Sequence, residues 1–346
     1  MIFIERAKMK SKPVTIRDIA RETGVSVASV SRALNGLNGI SDDTREAVLT
    51  ACERLGYIPN TLARGLVLKR TQTIGIIVPD LSSPFYSKLA IIATKSAKKL
   101  GYQVLLGNSF RNYEMESNYF NLMIGNQVEG IIFYPVGEDS YKHLRHFMRY
   151  VPIVSLGQMP DISELACVCP DDTRSGRLAT EYLIEKGCKK IIYIGYLSES
   201  IAYRERVKSF QKSVKQAGIY GEVFYSETKY ETGFKQGYNK FIEFLSQRKF
   251  IPDGIVASSD EAANGVLKAC IENNIRVPQD VSLIGFDNIN ADLPTLELTS
   301  VAVSHENHVD KAIDLLMALK GRRSIAGEGK KLYLEPQLYK RNSCNE

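Results

Sequence analysis

No run of eighteen or more apolar residues occurs in the 346-residue chain, so no transmembrane helix is expected. Met1 to Pro13 holds basic residues with no apolar stretch behind them, which argues against a secretory signal, against a membrane partner and for a cytoplasmic location. Cysteine is sparse. The six (Cys52, Cys167, Cys169, Cys188, Cys270, Cys344) show no CxxC or CxxxC spacing. Cys167 and Cys169 share one face of a strand, a poor geometry for bonding to each other, so all six read as ordinary thiols in a reducing compartment. Catalytic signatures are missing too. GxSxG is absent, and no GxGxxG follows the first apolar run. Gly327-Glu328-Gly329-Lys330 fails the P-loop pattern, because Ser324 stands five before Gly329 and Lys331 follows Lys330. His143/His146 and His305/His308 are spaced i, i+3 outside any HExxH and read as solvated helix faces, not zinc ligands. The chain is read as a non-enzyme with no cofactor, no metal and no catalytic residues.

Hydrophobic residues at 44% and charged residues at 24% match globular proteins, and the length allows two or three domains at ~150 residues each. Charge is uneven. Residues 1–70 hold twelve Lys/Arg against seven Asp/Glu, leaving thirty-three against thirty-two in residues 71–346. A small basic segment ahead of a large neutral body is the pattern of a nucleic-acid-binding module joined to a regulatory domain.

From Val14 the chain reads VTIRDIARETGVSVASVSRALNG. Thr15 with Asp18 three residues on resembles a capping box, and Ile16, Ile19 and Ala20 give the first helix an apolar face. Gly24 breaks that helix, Ser26 caps a second, and Asn35-Gly36 ends it. Two short helices joined by a glycine-containing turn are a helix-turn-helix pattern. On the second helix Val30 and Ala33 point inward, while Val27, Ala28, Ser31, Arg32 and Asn35 line the opposite side. Small side chains let a helix lie deep in a major groove, and Arg32 is suited to donate to guanine O6 and N7, worth ~1–3 kcal/mol of discrimination. Ser26, Ser29 and Ser31 are candidates for phosphate contacts. A third helix, capped by Ser41 and ended by Gly56, is expected to pack Ala47, Val48, Ala51 and Leu55 onto the pair. The competing reading is a helical bundle for protein contacts. Asn60 is then placed to cap TLARGL, too short and glycine-containing to be stable alone.

Beyond residue 73, short apolar runs alternate with amphipathic helices, the pattern of doubly wound parallel sheets. One set of runs comprises 74–78, 103–106, 130–134 and 152–156. A second comprises 190–195, 222–226, 254–258 and 281–286. Helices are expected near 89–100, 173–186, 203–217, 232–248, 260–274 and Val309 to Leu319. Two similar lobes would enclose a cleft beyond the C-terminal strand ends. The loops there hold Leu81 to Tyr86, Asn108-Ser109, Tyr134, Tyr196 to Arg206, Tyr230, Ser259-Asp260 and Phe286 to Asn288. Aromatic faces with carboxylates, an arginine and amide or hydroxyl groups suit a sugar, and a nucleobase nearly as well.

IRDIA, GVSVASVSRALNG, TREAV, LGYIPN and LARGL closely resemble the LacI/GalR family of bacterial transcription repressors, and the likeness extends over residues 14–343. It implies a small all-α helix-turn-helix domain followed by an α/β, two-lobed, periplasmic-binding-protein-like core of two doubly wound parallel sheets. The domains would be 1–59 for DNA, 60–70 as hinge helix, and 71–346 for effector and dimer contacts. Within the core, 71–170 and 303–330 would form one lobe, 171–302 and 331–346 the other. Val27, Ala28 and Arg32 would read the major groove. Thr15, Ser26, Ser29, Ser31, Asn35, Asn60 and Ala63 complete the expected DNA contacts, with Leu66 wedged into a minor-groove step. Gly65 departs from a good helix former. Phe85 in SSPFY, Arg206 in RVKSF, Asp260 in SSDE and Asp287 in IGFDN match effector-cleft positions, joined by Asn108 and Tyr134. Ser200 and Ala202 replace polar or basic residues of some purine-responsive members, which disfavours a purine, while Ser259 stands where sugar-responsive members often have asparagine.

The partners implied are double-stranded operator DNA, a small sugar or sugar-derived effector, and a second copy of the chain in a nucleoid-associated homodimer. No leucine heptad ends the chain, which favours a dimer over a coiled-coil tetramer. The rival reading is a two-lobed sugar-binding protein without DNA function.

Overall fold

The computed structural model describes residues 13–58, 70–159, 164–196, 200–226, 232–248, 250–289, 297–320 and 330–345. The expected hinge contacts Asn60, Ala63 and Leu66, together with Gly65, Tyr230 and the side chain of Tyr196, lie outside the described residues. The chain divides into two compact units, Met1–Gln72 and Thr73–Glu346.

In the first unit, α1 (Ile16–Thr23), α2 (Val27–Leu34) and α3 (Asp42–Leu55) follow the sequence signals. The Asp18 carboxylate accepts from the Thr15 backbone N–H at 2.9 Å and from its hydroxyl at 2.7 Å. Gly24 ends α1 at φ 69°, and Ser26 and Ser41 accept from the N–H groups of Ser29 and Thr44 to cap α2 and α3. Ile19, Val30, Ala33, Val48, Ala51 and Cys52 form the core. Ala47, expected there, is exposed, because the inward stripe of α3 runs through Val48, Ala51 and Cys52 at i, i+3, i+4.

The second unit carries two six-stranded sheets among the described residues. The first contains β1 (Thr73–Val78), β2 (Gln103–Asn108), β3 (Ile131–Phe133), β4 (Ile153–Ser155), β5 (Ala166–Pro170) and β11 (Lys331–Leu334), ordered β11-β5-β4-β3-β1-β2. The second contains β6 (Lys190–Tyr196), β7 (Tyr220–Ser226), β8 (Gly254–Ala257), β9 (Ser282–Phe286), β10 (Thr299–Ala302) and β12 (Gln337–Tyr339), ordered β12-β10-β9-β8-β6-β7. All neighbours pair in parallel except β12 with β10. In each sheet the order reverses at the first strand, and such a switch point opens a crevice between the carboxyl ends of β1 and β3, and of β6 and β8.

Helices cover both faces of each sheet, which is why central strands read as unbroken apolar runs. In the first lobe α4 (Pro84–Lys99) and α11 (His305–Leu319) bury Leu89, Ala93, Val309, Ala312 and Leu316 on one face. Helix α5 (Tyr113–Gly125), absent from the expected helices, buries Phe120 and Met123 on the other, beside Leu144 and Phe147 of α6 (Tyr141–Phe147). The second lobe holds α7 (Asp172–Glu185), α8 (Ile201–Ala217), α9 (Gly233–Gln247) and α10 (Asp260–Glu272).

The chain crosses between lobes after β5, after β10 and after β11. Strand β11 pairs in parallel with β5, so residues 331–334 belong to the first lobe's sheet, and the expected transfer at 331 falls after Leu334. His305 and His308 are not on a solvated face; both are buried at the second crossover. His308 Nε2 lies 2.8 Å from the Val168 carbonyl and 3.0 Å from that of Leu156, so the neutral ring donates to both.

Removing the Ile19 side chain in an Ile19→Ala variant is expected to cost ~2–5 kcal/mol, much of what so small a core supplies. Calorimetry should show the helical unit's transition lowered or lost with that of the two-lobed unit in place; an equal fall in both would contradict their separation.

Candidate functional sites: an exposed helix face and an interlobe cleft

Helix α2 presents Val27, Ala28 and Arg32 to solvent, with Ser29, Ser31 and Asn35 half-buried and Thr15 exposed at the start of α1. All three serines already have partners within the unit. Ser26 Oγ accepts from the Ser29 N–H at 3.1 Å and meets its hydroxyl at 2.9 Å, while Asn35 Nδ2 donates to Ser31 Oγ at 3.3 Å. Arg45 on α3 donates from Nη1 to the Ala33 carbonyl and from Nη2 to that of Leu37, at 3.1 and 2.9 Å. That cation satisfies carbonyls at the C-terminal end of α2 and fixes its angle on α3. The resulting surface is small, polar and basic, with room to enter a groove.

In the second unit the crevices of the two sheets face each other across a cleft of roughly 590 Å³, part of it open to solvent. Phe85 and Tyr86, in the first turn of α4, meet Tyr134 after β3 as edge-to-face rings with centroids 5.0–5.8 Å apart. From the other lobe come Tyr203 and Arg206 on α8, Gln236 on α9, Glu261 on α10 and Asp287 after β9. A hydrogen bond spans the cleft: Ser83 Oγ donates to Glu261 Oε2 at 2.8 Å.

Arg206 is buried, donates from Nε to Asp172 Oδ1 at 2.8 Å and from Nη1 to the Ser258 carbonyl at 3.3 Å, and lies 4.4 Å over the Phe286 ring. Asp287 Oδ1 lies 4.0 Å from Nη1. Burial opposes the guanidinium's charge, yet the carboxylates of Asp172 and Asp287 raise its pKa above the usual value. Burial pushes the Asp172 carboxyl up, against the pull of Arg206. The close approach of α7 and α8 depends on Gly176, where a Cβ would stand 2.5 Å from the Arg206 carbonyl oxygen. Asp287 is held at φ 93°, a left-handed conformation costing ~1–2 kcal/mol for a residue with a Cβ. Burial pushes its carboxyl up to about 6, with Arg206 pulling the other way. Behind this turn His305 bonds the Asp287 carbonyl, linking the cleft to the second crossover.

Phe85, Tyr134, Arg206 and Asp287 thus converge on the cleft as expected. Asp260 does not line it. Its oxygens accept from the Ile289 N–H and the Ser300 hydroxyl, each at 2.8 Å, so it is spent on bracing the turn that carries Asp287. Asn108 does not line it either; its side-chain oxygen accepts from the Phe110 N–H at 3.3 Å and shapes the loop after β2. Glu261, one residue past Asp260 on α10, is the carboxylate that faces the opening. Tyr203 stands three residues before Arg206 on α8, a spacing that puts both on one helix face. Arg111 and Asp172 were missed; each follows a strand end, which was their one available signal.

A three-helix unit with an exposed polar helix face, ahead of a hinged two-lobed unit with a polar and aromatic cleft, defines the ligand-responsive regulator class. Residues 15–60 match the family described as bacterial regulatory proteins, lacI family, and residues 71–318 match periplasmic binding proteins and sugar binding domain of LacI family. Catabolite control protein A of Priestia megaterium is 35% identical over 296 residues, 83% of this chain and 87% of that one. The Lac repressor dimer bound to operator and the anti-inducer ONPF shares the fold, with TM-score 0.82 at 24% identity, covering 96% of this chain and 99% of that one. The transcriptional regulator CelR in complex with cellobiose gives TM-score 0.67 at 25% identity, covering 95% and 99%. The chain belongs to the LacI family of bacterial regulatory proteins.

Burial pushes the Asp260 carboxyl up to about 8, so in the folded state it holds a proton that the unfolded chain releases near 4. Its stabilising contribution is present at low pH and is lost as pH rises from about 4 to about 8. Asp260→Asn keeps an acceptor for the Ile289 N–H and removes the titrating proton. The difference in unfolding free energy between variant and wild type should therefore grow in the variant's favour across that window, and a difference independent of pH would contradict the assignment.

Proposed function

We propose that the chain is a transcriptional repressor that binds a palindromic operator as a homodimer and responds to a sugar or sugar derivative held between its lobes. The observation that carries this reading is the presence in one chain of an exposed small-residue helix face and a cleft floored by buried Arg206 and Asp287. The cellobiose complex of CelR and the operator-bound Lac repressor dimer support it by similarity. The reading assigns no catalytic step, and places the protein in the cytoplasm on DNA.

In this reading Val27, Ala28 and Arg32 meet base edges, Thr15, Ser26, Ser29, Ser31 and Asn35 meet the backbone, and Asn60, Ala63 and Leu66 act at the operator centre. Phe85 and Tyr134 stack on the effector's C–H faces while Arg206 and Asp287 bond adjacent hydroxyls. A ligand bonded to both lobes favours one lobe angle over another, and three crossovers permit that rotation as a hinge. The coupling expected is ~1–3 kcal/mol, or about 5- to 150-fold in operator affinity.

Arg32→Ala should flatten base preference at one position of each half-site, by ~1–3 kcal/mol, in sequencing of DNA retained from a random duplex library. An unchanged preference would remove Arg32 from the reading surface. Asp287→Ala should abolish the effector response and leave affinity for the selected duplex intact; a normal dose–response curve would contradict its role.

A further inference from the structure

The loop after β2 carries two consecutive residues other than glycine in the left-handed region, Phe110 at φ 52° and Arg111 at φ 54°. Hydrogen bonds from the Ser109 N–H to the Val78 carbonyl and from the Arg111 N–H to the Pro79 carbonyl, at 2.9 and 2.8 Å, hold it there. Strain of this kind persists where the surrounding structure over-determines it, and it concentrates at ligand sites. Its effect is to bring Arg111 into the cleft lining from the first lobe.

Arg111 differs from Arg206 in how much of its guanidinium is committed. Arg206 spends Nε on Asp172 and Nη1 on Ser258 and Asp287. Arg111 donates from Nε to Asp80 at 3.5 Å, a long contact to a carboxylate that already accepts from the backbone and hydroxyl of Ser82. Among the described residues no hydrogen bond engages its Nη1 or Nη2. Burial works against the Arg111 charge, and the Asp80 carboxylate supports it. The guanidinium lies 5.9 Å from the Tyr86 ring.

The cleft therefore presents two kinds of polar group. Around Asp287 and Glu261 it offers acceptors for hydroxyl groups, while at Arg111 it offers an open pair of N–H donors on a fixed, partly desolvated fork. Such a fork matches a carboxylate or phosphate in a bidentate pair, and with its side chain 35% exposed and only one long carboxylate contact its remaining donors are open to a ligand. We infer that the effector carries an anionic oxygen group, a sugar-acid carboxylate or a sugar phosphate, and that Arg111 determines this specificity. The inference rests on the proposed effector role of the cleft.

The test is thermal shift and calorimetry on the full-length chain with matched trios of neutral sugar, sugar acid and sugar phosphate built on glucose, galactose, mannose and ribose, at about 10 mM. An acid or phosphate should raise the melting midpoint more than its neutral parent, and the stronger of the two identifies the anionic group. Arg111→Met, which keeps the apolar stem, should weaken that ligand's Kd about 10- to 100-fold, a clearly larger loss than it causes for the neutral parent. Arg111→Lys, with its charge but not its fork, should fall between. A neutral sugar that outperforms its acid and phosphate, or an anionic ligand bound equally well by Arg111→Met, overturns the inference and leaves the sugar-effector reading standing. No response to any compound overturns both.

Discussion

A buried guanidinium needs a full set of partners, and the second unit is organised around meeting that need for Arg206. Its partners come from α7, the end of β8 and the turn after β9, so three separate chain segments must arrive together for the charge to be tolerated. Gly176 lets two helices approach closely enough for the shortest of these contacts. The Asp287 turn is strained, and its strain is borne by a second layer in which Asp260, Ser300 and Arg341 hold the residues that follow. A charge buried alone would be expensive; paired and braced, it becomes a rigid floor against which a polar ligand is read.

That floor is also connected to the crossovers between the lobes. His305 ties the Asp287 carbonyl to the crossover leading into α11, and it packs against Phe85 with ring centroids 5.8 Å apart. Ser83 and Glu261 join the lobes directly across the opening. A ligand that bonds Asp287 or displaces the Ser83–Glu261 contact therefore acts on groups whose positions depend on lobe angle. Differential contacts of this kind are what a ligand needs in order to shift a conformational equilibrium.

The fold was legible because its signals are local. Ser26, Gly24, Asn35 and Gly56 mark helix ends through capping and left-handed geometry, and runs such as Ile74 to Val78 read as buried parallel strands. Helix α5 was not legible, since its buried positions Glu116, Phe120 and Met123 form a narrow stripe that includes a carboxylate. Within the cleft, strand-end position identified Phe85, Tyr134, Arg206 and Asp287. It could not tell whether a carboxylate faces the ligand or the protein: Asp260 and Glu261 are adjacent, and helical rotation alone sends one inward to Ser300 and the other to the opening. Arg111 escaped notice because its orientation depends on a backbone conformation that residues other than glycine seldom adopt. His305 and His308 were misplaced because their burial is imposed by contacts with Phe85 and with the distant Leu156 and Val168 carbonyls.

The central claim is that occupancy of the cleft changes the grip of the helical units on DNA. Its most direct measurement is a pair of anisotropy titrations of the full-length chain, on a selected palindrome and on a random duplex of equal length and ionic strength, each with and without a cleft-binding sugar. The account predicts at least ~10³-fold tighter binding to the palindrome, shifted about 5- to 150-fold by the sugar, and little change on random DNA. Equal affinity for the two duplexes, or a palindrome affinity indifferent to a sugar known to occupy the cleft, would contradict it.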